Sequence, residues 1–415
     1  MAFACFVASY GQMLFNYTDA LGTTWKFSLE TDGAYIIDAT QGSNHFSGVL
    51  NIPGTVEKDG QSYPVAGIGY KNNAFSSSNS FFNNNDITGI TFPPSLTSIG
   101  SYVMFGCKGL THVTIPSTVK KIGVRAFSSC TALTSLNIED GVETIGHSAF
   151  QGCTSLHGDL TIPSSVTLID VQAFSGCSFD GTLKILAQKP SDRPSIFNSS
   201  LGGTEIDGYC FSGFKYIIFG GPNPTPLYSC FGNKFSSPVF RGASIESVTF
   251  LPEVKKIAPY TLMGGYSPQL LSNTSTLTIP EGVEEIGARA FAYSGLAISV
   301  SIPTTVKKVK SGIFEHTNIS KLTIPQGHLT EVPASIAKEC AHLTQVSIPS
   351  NITSLGSGCF SGCTALPNVQ LPAGLKVIGD SAFLSCRTFV SVSIPNTVTK
   401  IGDKAFYECD NLTNV

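Results

Sequence analysis

Seven histidines, at 45, 112, 147, 157, 316, 328 and 342, are the side chains best suited to metal ligation or proton transfer near neutral pH, and no recurring spacing links them. His147 and His157 are close in sequence, but His147 falls in the outer turn of its unit and His157 just before the next strand, and a metal centre also needs third and fourth ligands. The acids Glu139, Asp140 and Glu143 read as solvated loop charges rather than a paired acid and base. No G-x-S-x-G elbow, no G-x-x-x-x-G-K-[ST] loop and no H-E-x-x-H helix occurs. These readings predict no catalytic residue, no metal and no cofactor. Twelve cysteines remain, and eight of them obey a rule. Cys107, Cys130, Cys153 and Cys177 lie 23, 23 and 24 residues apart, and Cys340, Cys363, Cys386 and Cys409 lie 23, 23 and 23 apart. Equivalent side chains of stacked units point the same way, whereas a disulfide needs converging Cβ atoms, so buried free thiols are expected.

The elements that place these thiols follow from the same period. Leu133 to Cys153, LTSLNIEDGVETIGHSAFQGC, is one copy of a pattern that recurs along most of the chain. Leu133, Leu136 and Ile138 have the spacing of a short strand with its apolar residues inward. In most copies a proline follows, which cannot donate to a ladder and so ends the pairing. Val142, Ile145 and Gly146 make a second extended segment and its bend, and Ala149-Phe150 is expected to return the chain in a turn of helical character. A single unit cannot bury its Leu, Ile, Phe and Cys side chains, but units stacked in register can. About 23 residues per coil therefore predicts one elongated solenoid, with a curved parallel β-sheet of short strands on one side and turns with short helical segments opposite.

The N-terminal stretch does not repeat. Residues 1–15 carry an apolar run without a basic start, which reads equally as the remnant of a signal peptide or as a strand covering the first coil. Residues 16–51, with Trp25, Phe27 and the turn Thr31-Asp32-Gly33, read as a cap that shields the first coil's open edge. Coils then occupy 52–415, with a hairpin-like insertion at Glu57 to Tyr63 and an Asn-rich one at Ser76 to Asp86. Enlarged coils fall at about 183–276: the strand-end residues Ile162, Ile185, Ile218 and Phe250 are separated by 23, 33 and 32 residues.

The combined Ile-Pro, Ile-Gly, Ala-Phe and Cys landmarks of LTSLNIEDGVETIGHSAFQGC resemble the repeat of BspA-like leucine-rich repeat surface proteins, from Val49 onward. The resemblance implies a leucine-rich repeat solenoid, secreted or held at the cell surface, that engages host or extracellular-matrix proteins. Composition is compatible with that expectation. Charged residues are 13% of the chain and the net charge is -3, so the clustered Lys and Arg that nucleic acid requires are missing. No run of about 18 apolar residues is present to form a transmembrane span.

Recognition is then the function to place. Outward sheet positions such as Thr114, Asn137, Thr161, Thr278 and Ser301 are small and polar, without the aromatic or Arg anchors that dominate interfaces. The enlarged coils differ: Arg193, Phe197, Phe214, Tyr228, Phe231, Phe235 and Arg241 gather there and are the candidate ligand-binding residues. The competing reading is that these aromatics pack the longer loops onto the scaffold. The expected function is a non-enzymatic adhesion or protein-binding scaffold; the alternative is a glycan-binding surface protein in which the same aromatics stack on sugar rings.

Overall fold

Two kinds of parallel ladder and a recurring left-handed turn build the repeats. The computed structural model describes residues 13–41, 46–69, 86–188, 213–222, 224, 228–231, 234–238, 245–264 and 270–414. The chain divides into two compact units, Met1–His157 with Gln172–Ser178, and Gly158–Val171 with Phe179–Val415.

In the first unit, Met13–Thr18, Thr23–Glu30 and Gly33–Gln41 form an antiparallel meander. Met13–Phe15, the end of the stretch read as leader or covering strand, thus pair with Phe27–Leu29. Gly33–Gln41 pairs in parallel with Gln61–Ile68, and that strand with Ser98–Ile99, so the meander extends directly into the repeats. The insertion expected at 57–63 is a hairpin, Thr55–Lys58 against Gln61–Pro64. The Asn-rich insertion lies almost wholly outside the described residues. Two ladders then follow the period. Gly48–Asn51 pairs with Ile87–Thr91, and His112–Ile115 with Ser135–Ile138, while the second segments Ser98–Ile99, Lys121–Ile122 and Thr144–Ile145 stack in register. Both ladders bury Leu, Ile and Val inward, which is the burial that a lone coil could not achieve.

The second unit repeats the plan. Leu160–Ile162, Thr182–Ile185, Tyr216–Phe219, Ser247–Phe250 and Thr276–Thr278 form one five-stranded parallel sheet. Ser299–Ser301, Lys321–Thr323 and Gln345–Ser347 form another. The parallel strands therefore fall into several sheets rather than one. Strands of two to five residues make few ladder bonds each, and a small displacement of one coil is enough to end a sheet.

The expected helical segments are a correction, because no helix forms among the described residues. In the turn after Gly123, Arg125 and Ser129 take φ values of 51° and 62°, and equivalent pairs such as Ser381 and Ser385 recur coil after coil. A left-handed residue every fourth position interrupts any run of right-handed residues, so no i→i−4 ladder can start. The backbone instead bonds along the stack: Arg125, Phe127 and Ser129 N–H donate to the carbonyls of His147, Ala149 and Gln151 at 2.9, 2.8 and 2.7 Å. Coils this close leave no room at the bend, where a Cβ on Gly146 would fall 2.8 Å from the Ile122 carbonyl oxygen.

Inside the turns, the Ala-Phe pairs form ring stacks. Phe127, Phe150 and Phe174 lie 5.2 and 5.3 Å apart and nearly parallel. The thiols form the adjacent columns, all free, and all buried except Cys409, which is half-buried. Cys130, Cys153 and Cys177, and likewise Cys340, Cys363, Cys386 and Cys409, bond back to the preceding coil: Cys130 Sγ–H donates to Met104 O at 3.1 Å and Cys153 Sγ–H to Phe127 O at 3.2 Å. Burial pushes the Cys340 thiol up to about 11 and the Cys386 thiol up to about 12, so these groups stay protonated donors at neutral pH.

Candidate functional site

The middle sheet of the second unit is where the outward residues change character. Its register aligns Leu183, Ile217 and Val248 on the inner face, all fully buried, and Ile185, Phe219 and Phe250 likewise one step on. The strands alternate, so the facing outward rows are Thr182, Tyr216, Ser247, Thr276 and Thr161, Lys184, Ile218, Thr249, Thr278. Three of these, Lys184, Tyr216 and Ile218, break the small polar rule, and only Tyr216 and Ile218 bring ring or aliphatic surface to the outer face. Tyr216 is 40% exposed, its hydroxyl donates to Glu246 Oε2 at 3.2 Å, and the same carboxylate lies 3.8 Å from Lys215 Nζ. Ile218 is half-buried between Lys184 and Thr249.

The apolar surface continues beyond the strand ends. A Cβ at Gly220 would meet Leu186 Cδ2 at 2.6 Å and Leu251 Cδ1 at 3.4 Å, so side chains from the two flanking coils close over this glycine. Only glycine permits that approach, and the result is a patch of Tyr216, Ile218, Leu186 and Leu251 on rigid strands and just past their ends. The signal was present in sequence as an apolar residue at both parities of Tyr216-Ile217-Ile218-Phe219, where the equivalent strands of the regular coils alternate with polar residues.

Both enlarged coils leave the sheet beside this patch. Gln188 Nε2–H donates to Leu186 O at 2.7 Å and to Gly220 O at 3.2 Å, fixing the root of the first insert against the second. Gln188 and Pro224 also form an isolated antiparallel bridge. Beyond it, Tyr228–Phe231 and Lys234–Pro238 make an antiparallel hairpin in which Cys230 faces Phe235 and Phe231 faces Lys234 in register.

The candidates read from sequence distribute unevenly. Tyr228, Phe231 and Phe235 lie together on the two strands of the hairpin. Arg193, Phe197 and Arg241 lie outside the described residues. Phe214 is 0% exposed and stacks 4.6 Å from Phe179, so this ring is core and presents no surface to a ligand. Tyr216, Ile218, Leu186 and Leu251 were missed, although they form the surface that the inserts adjoin. Among the described residues no three His, Cys, Asp or Glu side chains converge in a way that would hold a metal ion.

The BspA type leucine-rich repeat region model matches residues 75–201, 266–383 and 330–415 in six copies. Among solved structures, the chain is similar to a leucine-rich repeat protein from Bacteroides ovatus, with 20% identity, a TM-score of 0.50, and coverage of 98% of this chain and 94% of that one. A leucine-rich repeat protein from Eubacterium ventriosum matches at 24% identity over 95% of each chain, with a TM-score of 0.40. A leucine-rich cell surface protein from Faecalibacterium prausnitzii matches at 23% identity over 98% of this chain and 95% of that one, with a TM-score of 0.36. The first of these likenesses supports the fold alone, and the other two are too distant to support an argument. No curated protein matches the chain. The repeat landmarks, the in-register ladders and a family model covering more than half of the residues together place the chain in the BspA-type leucine-rich repeat family.

Proposed function

We propose that the protein is a non-enzymatic leucine-rich repeat solenoid, secreted or held at the cell surface, that binds a host or matrix protein through its middle sheet and the two inserts beside it. The observation that carries this reading is the patch made by Tyr216 and Ile218 on a strand whose counterparts elsewhere display mostly polar residues, with Leu186 and Leu251 just past the ends of the flanking strands. Interfaces draw their energy from a few aromatic and aliphatic anchors on rigid supports, and the repeat supplies the support. The cell-surface placement rests on the resemblance of the repeat to BspA-like surface proteins. No helix among the described residues is long and apolar enough to cross a membrane.

A glycan ligand is the second reading, and the exposed Tyr216 ring favours it, since a sugar can stack on an aromatic face whose neighbour Glu246 accepts a hydroxyl. The two readings separate in one experiment. The chain and its Tyr216→Ser/Ile218→Thr variant, which restores the polar pattern of other coils, are measured against a panel of extracellular-matrix proteins and a glycan array. Protein binding that falls by about 10-fold or more in the variant is expected, since the two side chains together bury enough apolar area for such a loss. Binding that survives the double substitution unchanged overturns the site, and binding confined to the glycan array overturns the choice of ligand.

A further inference from the structure

In the first unit, the tip of the N-terminal meander displays apolar side chains on a fixed turn. The turn between Met13–Thr18 and Thr23–Glu30 is fixed by one side chain. Asp19 Oδ1 accepts the N–H groups of Leu21 and Thr23, each at 2.9 Å, and Oδ2 accepts Trp25 Nε1–H at 2.9 Å. The backbone closes the same turn, with Gly22 N–H donating to Asp19 O at 3.0 Å and Asp19 N–H to Thr23 O at 2.9 Å. On this rigid tip Leu21 is 75% exposed. A turn held by five hydrogen bonds has no need of a leucine at its apex, where Asn, Asp or Gly serve as well.

Beside Leu21 lies an open depression. Trp25, Ile87, Phe46, Val49 and Asp19 are among the residues that line it, and of these Trp25 and Ile87 are fully buried and so form its floor. Val49 is 54% exposed on a strand, Gly48–Asn51, whose outward partner across the ladder is Gly89. The floor is sealed: Trp25 is 1% exposed, and its ring lies 6.1 Å from Phe46. The depression is therefore too shallow for a buried indole and suits one aliphatic side chain held between Leu21, Phe46 and Val49.

Charge defines what must accompany that side chain. Burial pushes the Asp19 carboxyl up, but hydrogen bonds from Trp25, Thr23 and Leu21 outweigh it and hold the group below its usual range, so it is ionised at neutral pH. Asp86, an exposed acid whose carbonyl accepts Gly48 N–H at 2.8 Å, adjoins the same rim. Among the described residues no Lys or Arg lines the depression. We infer that this depression docks a protein segment carrying a leucine-sized aliphatic side chain flanked by Lys or Arg, the aliphatic group between Leu21, Phe46 and Val49 and the cation beside Asp19.

The chain holds a single tryptophan, and it lies at this floor, so its indole N–H resonance reports on this site and no other. The probe is an acetylated, amidated peptide with leucine between two lysines, titrated into the full chain. A saturable shift of the indole resonance with a dissociation constant of about 1 mM or weaker is expected, from one buried aliphatic group together with the lysine charges. Replacing the leucine by alanine, or the lysines by glutamate, weakens binding by about 10-fold each. The Leu21→Asp/Val49→Asp variant, altered only at exposed side chains, keeps the indole resonance and loses the shift. An indole resonance unmoved by the lysine-flanked peptide overturns the inference, as does an equal response to the glutamate-flanked one or an unchanged response in the variant. The middle-sheet substitutions at Tyr216 and Ile218 leave this titration unaffected, so the two sites fail or stand independently.

Discussion

Replacing Phe383 by alanine removes a ring with no exposed surface that lies 5.7 Å from Phe360, 5.2 Å from Phe389 and 5.3 Å from Phe406. Deleting a fully buried phenylalanine costs about 3–5 kcal/mol, the transfer of its surface plus the cavity left behind. How far the cavity collapses decides the value within that range. Here Ser381, Phe383 and Ser385 N–H groups are each tied to the next coil at 2.8 Å, to the carbonyls of Asp403, Ala405 and Tyr407, so the walls cannot close in. The upper part, about 4–5 kcal/mol, is therefore expected for Phe383→Ala. Phe406 occupies the equivalent place one coil on, but it is half-buried, with rings at 5.3 Å and 6.3 Å. Roughly half the burial gives about 2 kcal/mol for Phe406→Ala. Repeat chains need not unfold in one step, so the assay is urea titration followed by hydrogen exchange, read from peptides covering 352–366 and, as a remote control, 13–30. Protection should fall in the first peptide and hold in the second. Equal costs for the two substitutions, or equal loss of protection in both peptides, refutes the claim that the ring column stabilises coil by coil.

Two further outcomes test the turn and the thiols. Gly152 has φ 72° and no atom closer than 3.7 Å to an added Cβ, so Gly152→Ala pays only left-handed strain, about 1 kcal/mol by urea unfolding, whereas Gly146→Ala, which drives a methyl into Ile122 and Gly123, costs several times more; equal costs would contradict the close approach at the bend. Burial raises the Cys340 thiol from 9.0 to about 11, so its contribution is fully present below about pH 9 and lost as pH rises through 11; between pH 8 and 10 the chain should lose about 1 kcal/mol more than Cys340→Ala does, and parallel pH profiles of the two in urea unfolding would refute the assignment.

What the sequence made legible is what the stacking itself imposes. Ile115, Ile138 and Ile162 end their strands, Phe127 and Phe150 stack, and Cys107 to Cys177 are buried thiols, because a coil that misplaces any of these exposes its neighbour's core as well as its own. The turn's handedness was misread for a local reason. Ala-Phe flanked by Arg, Ser and Gln has good helical propensity, and propensity is a weak prior that close stacking overrides. The corrective signal was available: the position of Ser129 is glycine in five other coils, and four of these, Gly106, Gly152, Gly176 and Gly362, have positive φ. A glycine recurring at one place in a repeat marks a left-handed residue there, and the coils with Ser, Tyr, His or Glu at that place simply accept the strain.

The candidate site was half legible for a related reason. Aromatic enrichment located the enlarged coils, but enrichment cannot separate a ring that packs from a ring that is displayed, and Phe214 packs. Strand parity can make that separation. Lengthening the coils after Ile185 and Phe219 leaves the register from Leu183 to Ile217 to Val248 unbroken, so the inner face keeps its demands and only the outer face is released from the Ser and Thr rule. Where an outward position of the repeat turns apolar, the scaffold itself leaves it uncovered. Tyr216 and Ile218 meet that condition, and so, in the first unit, do Leu21 and Val49. In both units the exposed apolar residues stand on backbone fixed by ladders or by the Asp19 turn, so their exposure is a property of the folded chain, and a bound partner is the simplest way to cover them.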